Sequence, residues 1–185
     1  MIFAPISVQL KDGRFAVIRN AEPEDAKELI EYLKVTTAET PYLLRNPEEM
    51  DFTLDQEIEF INSRNESESS LMLIARIDGK LAGNASCMPL GTFQRCSHRC
   101  SAGIALYQSY WGLGLGKIML NIILQEAAKA GYEQAELEVV TSNDNAVALY
   151  KALGFDIYGE RKHSMKYKDG SYADEYLMMK MLEKR

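Results

Sequence analysis

The sequence predicts an α/β (α+β) chain in which one central sheet carries helices on both faces. Three observations lead there. Asp78-Gly79 sits between two strand-like apolar runs, a strong two-residue hairpin signal. A long apolar run, Gly114 to Ala130, reads as a buried helix and follows a strand-like stretch. Beyond it helix-like and strand-like segments alternate, an order that places helices against a shared sheet.

Taken along the chain, Arg14 to Arg19 reads as the first strand. Ala21-Glu22-Pro23-Glu24-Asp25-Ala26 opens a helix to about Val35, with acidic side chains in the first turn where the helix dipole favours them. Thr53 or Asp55 caps a second helix over Leu54 to Ser63. Leu71 to Ile77 and Lys80 to Met88 form the hairpin, and His98 to Tyr107 is the next strand. After the Gly114 to Ala130 helix come a strand at Ala135 to Val140 and a short helix at Asn145 to Leu153. Phe155 to Tyr167 and Tyr172 to Met181 close as a hairpin around Asp169-Gly170. No repeat, low-complexity tract or linker-like shift interrupts the pattern, so residues 1–185 are expected to form one domain.

Composition narrows the function classes. With 46% hydrophobic and 26% charged residues, the 185-residue chain has enough apolar material for one good core. A net charge of −6 disfavours nucleic acid and anionic membranes as partners. No stretch is long or apolar enough to span a bilayer, and Met1 to Lys11 lacks the features of a signal peptide, so the expected location is cytoplasmic. Cys87, Cys96 and Cys100 make an odd count, which suits reduced thiols rather than a disulfide framework. Cys96-Ser-His-Arg-Cys100 invites a zinc reading, but a closed site needs four ligands and the other histidine is the distant His163; no metal is expected.

Chemistry concentrates in Trp111-Gly112-Leu113-Gly114-Leu115-Gly116-Lys117, where glycines stand at every second position between a strand and a helix. Glycine lets the backbone approach a ligand, and the unpaired N–H groups of the following helix point at an anion, so a phosphate or pyrophosphate is the expected partner. A P-loop is excluded: Trp111 stands where its first glycine belongs, and Ile118 where its magnesium-binding hydroxyl belongs. A dinucleotide fingerprint is also excluded, because the third glycine comes one residue early and the loop lies past mid-chain. The remaining alternative is a flexible helix entry with no ligand.

About thirty residues on stands Asn143-Asp-Asn-Ala146-Val-Ala-Leu149-Tyr150-Lys-Ala-Leu-Gly154-Phe155. Together the two segments resemble the GCN5-related N-acetyltransferases, the GNAT superfamily. The family's Gln/Arg-x-x-Gly-x-Gly/Ala maps onto Trp111 to Gly116, with Trp111 replacing the usual Gln or Arg. Its Asn-x-x-Ala-x-x-Leu-Tyr-x-x-x-Gly-Phe is matched at Asn143, Ala146, Leu149, Tyr150, Gly154 and Phe155. The resemblance covers about Ala16 to Leu182 and implies the GNAT acyl-CoA N-acyltransferase fold, a central mixed sheet in which the strand before the glycine loop splays from its neighbour. It further implies acetyl-CoA as cosubstrate. Ile104, Ala105 and Leu106 would bind pantetheine through their backbones, and Trp111, Gly112, Leu113, Gly114, Leu115, Gly116 and Lys117 would hold the pyrophosphate. Asn143 would bond the cofactor's amides, and Tyr150 would lie near the thioester sulfur as general acid. Ordinary packing, a helix cap at Asn143 and a surface hydroxyl at Tyr150 are the structural alternatives.

Acetyl transfer needs a neutral amine, a polarised carbonyl and a proton for the leaving thiolate. Histone-type members of the family place a glutamate where this chain has Cys100, so no carboxylate stands there, and an amine that arrives neutral or a water relay is an alternative to a side-chain base. His98, two residues earlier on the same predicted strand face, is the candidate, since histidine titrates near neutrality as a residue type. Glu136 and Glu138 share a strand face and could act through water, although a solvated face explains them too. The acceptor, a small-molecule or peptide amine, would meet the connection Thr36 to Asp51 and the final hairpin Arg161 to Glu175. There Tyr42, Tyr167, Tyr172 and Tyr176 offer aromatic faces, and Glu48, Asp174 or Glu175 a countercharge. A protein N-terminal acetyltransferase, a catalytically silent acyl-CoA sensor and a user of longer acyl-CoA remain as alternatives. A homodimer is compatible with all of them.

Overall fold

The computed structural model describes residues 1–183. Its elements are β1 (Ile6–Gln9), β2 (Phe15–Asn20), α1 (Ala26–Glu39), α2 (Leu54–Glu66), β3 (Leu71–Ile77), β4 (Lys80–Pro89) and β5 (Arg99–Leu106). Then follow α3 (Leu115–Lys129), β6 (Gln134–Val140), α4 (Asp144–Ala152), β7 (Asp156–Lys166) and β8 (Tyr172–Met181). The strands form one eight-stranded sheet in the order β1-β2-β3-β4-β5-β6-β8-β7. Neighbours are antiparallel except β5 and β6, so the sheet is mixed, as expected.

The continuous apolar run of β3 is explained by burial on both faces. Leu71, Leu73, Ala75 and Ile77 join the cluster beneath α3 and α4, while Met72 and Ile74 join Leu29, Tyr32 and Ile61 beneath α1 and α2. Asp78 and Gly79 both take positive φ, +51° and +76°, which lets a two-residue turn match the strands' twist. Thr53 caps α2 reciprocally: its hydroxyl accepts from the Gln56 N–H at 3.2 Å, and the Gln56 carboxamide accepts from its N–H at 2.9 Å.

Two elements depart from the sequence reading. β1 was not expected. Four residues of alternation, Ile6-Ser-Val-Gln, are too short to stand out, and the strand forms by pairing with β2. α1 runs past Val35 to Glu39, because Thr36 and Thr37 turn their hydroxyls back onto the carbonyls of Tyr32 (2.8 Å) and Leu33 (2.7 Å). No helix among the described residues is long and apolar enough to cross a membrane.

Parallel pairing of β5 with β6 covers only Arg99↔Gln134, Cys100↔Ala135 and Ser101↔Glu136. Beyond that the strands part, and Ala102 to Leu106 have no β6 partner. Each arm of the wedge is held from its other side, β5 by β4 and β6 by β8.

At the start of α1 a buried carboxylate ties the sheet to the helix. Asp25, 5% exposed, accepts two hydrogen bonds from Arg19 (2.6 and 2.9 Å), one from Arg76 (2.9 Å) and one from the Glu22 N–H (2.8 Å). Burial pushes its pKa up, but the Arg19 and Glu22 hydrogen bonds and the two arginine charges outweigh burial and hold it below the usual carboxylate value. A carboxyl depressed on folding contributes stability that is fully present above its unfolded pKa of about 3.9 and is lost as pH falls through the folded value. Asp25→Ala is therefore expected to cost about 3–5 kcal/mol in urea unfolding at pH 7, the cost of stripping one partner from a buried ion pair. The gap between parent and variant should narrow steadily below about pH 4. A gap that does not change with pH would remove ionic character from the explanation.

Candidate active site

The chain leaves β5 through a 3₁₀ turn at Gln108–Tyr110 and enters α3 through the glycine loop. The glycines serve two purposes. Gly112 and Gly114 take positive φ, +77° and +85°, and Gly114 is the left-handed N-cap of α3 with no side chain to cap it. Gly116 is helical and close-packed: a Cβ there would meet Leu149 at 3.4 Å and Ile104 and Leu106 at 3.6 Å. The first backbone bond into α3 runs from Ile118 to the Gly114 carbonyl (3.2 Å). The N–H groups of Leu115, Gly116 and Lys117 thus have no acceptor among the described residues, and they converge with the helix dipole on one point.

Trp111 takes a role the sequence does not reveal. Its indole N–H donates to the Leu106 carbonyl at 3.0 Å, pinning the loop to the last residue of β5. The neighbouring Ala105 carbonyl accepts from the Tyr32 hydroxyl at 2.7 Å. Contrary to the expectation, Ala105 is in register with Asn84 and turns its backbone groups toward β4, so the splayed edge offers the Ile104 carbonyl and the N–H groups of Ile104 and Leu106, the Leu106 carbonyl being taken by Trp111. Gly83 on β4 makes this geometry fit, since a Cβ there would lie 2.4 Å from Leu106 Cδ2 and 2.5 Å from the Ala105 oxygen.

Tyr150 lies on α4, 7% exposed, with its ring edge on Phe155 at a centroid distance of 5.9 Å. Burial alone pushes its pKa up to about 12, so it is protonated throughout the neutral range. The hydroxyl has no hydrogen-bond partner among the described residues and is not sealed from solvent. Asn143 is the N-cap of α4: Oδ1 accepts from the Ala146 N–H at 3.2 Å, leaving its NH₂ group to face outward.

The remaining acid–base candidates fall elsewhere. His98 is not on the strand. β5 begins at Arg99, and His98 sits in the preceding turn, its carbonyl accepting from the N–H groups of Glu133 (2.8 Å) and Gln134 (3.2 Å). That is the closed end of the wedge, about 25 Å along the strand from the glycine loop at 3.3 Å per residue, so the structure does not bring His98 to Tyr150. Glu136 is buried rather than solvated and is held by both Arg99 nitrogens, Gln134 and Tyr158, while Glu138 is engaged at 2.8 Å by Arg161. Cys100 is fully buried, which pushes its thiol up to about 12.

Beside the open end of β6 lies a cleft of 440 Å³ between Thr141 and Ser142, the Pro41-Tyr42 connection and the β7–β8 hairpin. It gathers Tyr42, Tyr167, Tyr172 and Asp174, four of the residues expected at an acceptor site. Tyr42 donates to the Ser142 carbonyl (3.3 Å) and Tyr167 to the Pro41 carbonyl (3.0 Å), tying the connection to the segments that follow β6 and β7. Tyr176 packs on the core, Glu48 pairs with Lys168, and Glu175 is taken by Arg161 and Ser164. Sequence reasoning missed His163, which also lines the cleft. Between Arg161 and Met165 the β7 register slips against β8, forming a bulge in which His163 adopts φ +51°. Its ring stacks on Tyr172 at 4.6 Å, and its N–H is anchored by Asp174 at 2.8 Å. No local sequence signal marks a bulge of this kind; it follows from pairing across the hairpin.

Comparison with known proteins adds an independent line. A family model described as "Acetyltransferase (GNAT) family" matches residues 28–155. The chain is 29% identical over 182 residues to the N-alpha-acetyltransferase of Sulfurisphaera tokodaii, covering 92% of this chain and 95% of that protein. Among solved structures, an acetyltransferase of the GNAT family from Streptococcus pneumoniae aligns with a TM-score of 0.85 and 30% identity, covering 90% of this chain and 99% of that one. A GNAT superfamily phosphinothricin acetyltransferase from Sinorhizobium meliloti, solved in complex with AcCoA, shares the fold at a TM-score of 0.79 and 18% identity, covering 90% and 88% of the two chains.

The close approach at Gly83 yields a direct expectation. Gly83→Ala should push Ala105 and Leu106 away from β4, costing about 1–3 kcal/mol of stability as an overpacking change. It should also weaken acetyl-CoA binding in calorimetric titration of the folded variant. Full stability with unchanged binding would show that the two strands are free to part there.

Proposed function

The chain belongs to the acetyltransferase (GNAT) family, and we propose that residues 1–185 act as one cytoplasmic domain that moves the acetyl group of acetyl-CoA directly onto a primary amine of a small molecule or peptide. The observation that carries this reading is the splayed β5 edge running straight into an uncapped, glycine-lined helix start. An extended amide chain can add to the free edge as a strand would, and its pyrophosphate then meets the N–H groups of Leu115, Gly116 and Lys117. The residues present fit coenzyme A in both respects. With the Ala105 and Leu106 carbonyls already engaged, the Ile104 carbonyl and the edge N–H groups take the pantetheine amides, and the Asn143 NH₂ adds a donor.

In the reaction the amine nitrogen attacks the thioester carbonyl, the C–N bond forms and the C–S bond breaks. The amine's proton passes to solvent water, the thiolate takes one from Tyr150, and the tyrosinate regains its proton from water before the next turnover. Tyr150 supplies the second proton: burial keeps the hydroxyl protonated, and the lack of a protein partner leaves it free to donate. The acceptor enters the cleft of Tyr42, Tyr167, Tyr172 and His163, whose aromatic faces suit a cationic amine. A peptide α-amine is favoured by the full-length relative named for N-alpha-acetylation. A silent acyl-CoA sensor has one observation on its side, the buried Cys100 in place of a carboxylate.

Release of free thiol from acetyl-CoA across a panel of peptide N-termini and small amines separates enzyme from sensor. Tyr150→Phe removes one hydroxyl and keeps the ring against Phe155, so kcat is expected to fall by about 10² to 10⁴ with little change in the KM for acetyl-CoA. A kcat within about twofold of the parent, in a variant shown to be folded, would refute the acid role. Because the tyrosine titrates near 12, no alkaline limb from it is expected in the kcat profile up to about pH 10.

A further inference from the structure

The turn between β1 and β2 is docked on the glycine loop, and one of its side chains has no structural work to do. Lys11 donates its backbone N–H to the Leu113 carbonyl at 3.2 Å. Its aliphatic stem crosses Gly114, where a Cβ would meet Lys11 Cε at 3.4 Å, Cγ at 3.5 Å and Cδ at 3.7 Å. The ammonium group, one bond beyond Cε, has no carboxylate or carbonyl partner among the described residues, and the residue is exposed.

The turn around it is rigid. Leu10 is buried in the core, its N–H donates to the Arg14 carbonyl (2.8 Å), and Gly13 donates back to Leu10 (3.0 Å). The neighbouring cation is already spent: Arg14 pairs with Asp12 at 2.7 Å and lies over the Tyr110 ring. Lys11 is thus the free cation of the turn, carried to the N-cap of α3 by a backbone bond and a packed stem. It lies outside residues 28–155, so neither the family match nor the two sequence motifs includes it.

We propose that Lys11 is a phosphate-binding residue of the acyl-CoA site, supplied by the N-terminal hairpin, which adds a full positive charge to the fixed N–H groups of α3. This rests on the acetyl-CoA reading given above. A packed stem loses less freedom on binding than a free lysine, and a helix start alone offers only partial charge. Lys117 stands exposed on the first turn of α3.

Calorimetric titration of acetyl-CoA into the full chain, Lys11→Met, Lys11→Gln and Lys11→Arg tests this at low and physiological salt. Both neutral variants should bind about three- to tenfold more weakly, with a shallower salt dependence, while Lys11→Arg stays within about twofold of the parent. Repeating the titration with 3′-dephospho-CoA identifies the phosphate: a penalty that persists assigns the pyrophosphate, and one that disappears assigns the 3′-phosphate. Parent-like affinity in both neutral variants overturns the role of Lys11 and leaves the acetyltransferase reading intact. No binding by the parent overturns both.

Discussion

Parallel pairing between β5 and β6 stops after three residue pairs, and most of the molecule is arranged around that divergence. A strand edge opened in the middle of a sheet exposes backbone groups that must find partners. Trp111 from the glycine loop satisfies the Leu106 carbonyl of that edge, while Tyr32 from α1 bonds the Ala105 carbonyl on the β4 side, so β5 is fixed from both helical layers without closing the gap. Gly83 lets β4 follow β5 closely enough to brace it, and Gly116 lets α3 press on Ile104 and Leu106 from the other face. At the closed end the Arg99–Glu136 pair joins β5 to β6, which limits how far the split runs.

The charges of the molecule divide along the same line. Two of the buried carboxylates, Asp25 and Glu136, are held by arginine and fix strands or helix starts in place, while the third, Glu57, lies on α2 away from the wedge. At the open end the groups available for chemistry are a neutral tyrosine, backbone N–H groups and an imidazole, with no free buried carboxylate among them. Such a site polarises and donates through preoriented dipoles, which cost little to keep dry.

How much of this was legible in the sequence depends on the range of the interactions. The hairpin at Asp78-Gly79, the strand Tyr172–Met181 and the Thr53 cap were readable because each rests on local turn, alternation or capping chemistry. The glycine loop was readable for the same reason, although Gly116 turned out to serve packing rather than an unusual φ. β1 was missed because it exists only through pairing with β2, and α1 runs one turn past Val35, where Thr36 and Thr37 bond back to Tyr32 and Leu33, with no local signal that marks the later end. His98 was placed on the strand, whereas it sits one residue before β5, at the closed end of the wedge, whose opening direction only the β5–β6 pairing reveals. The reach of Lys11 onto Gly114 and of His163 into the cleft depends on contacts across elements, which no single stretch of sequence records.

The bulge at His163 has a consequence for how this protein can change over generations. β7 is an outer strand with most of its residues exposed, and it borders only β8. A register slip there costs little of the core and leaves the wedge, the glycine loop and α4 untouched. Mutations that lengthen, shorten or re-aim the bulge would therefore redraw the wall of the proposed acceptor cleft while the glycine loop and the wedge stay intact. Donor chemistry and acceptor choice are thereby kept on separate mechanical parts, and drift in one need not pass through an unfolded or inactive ancestor in the other.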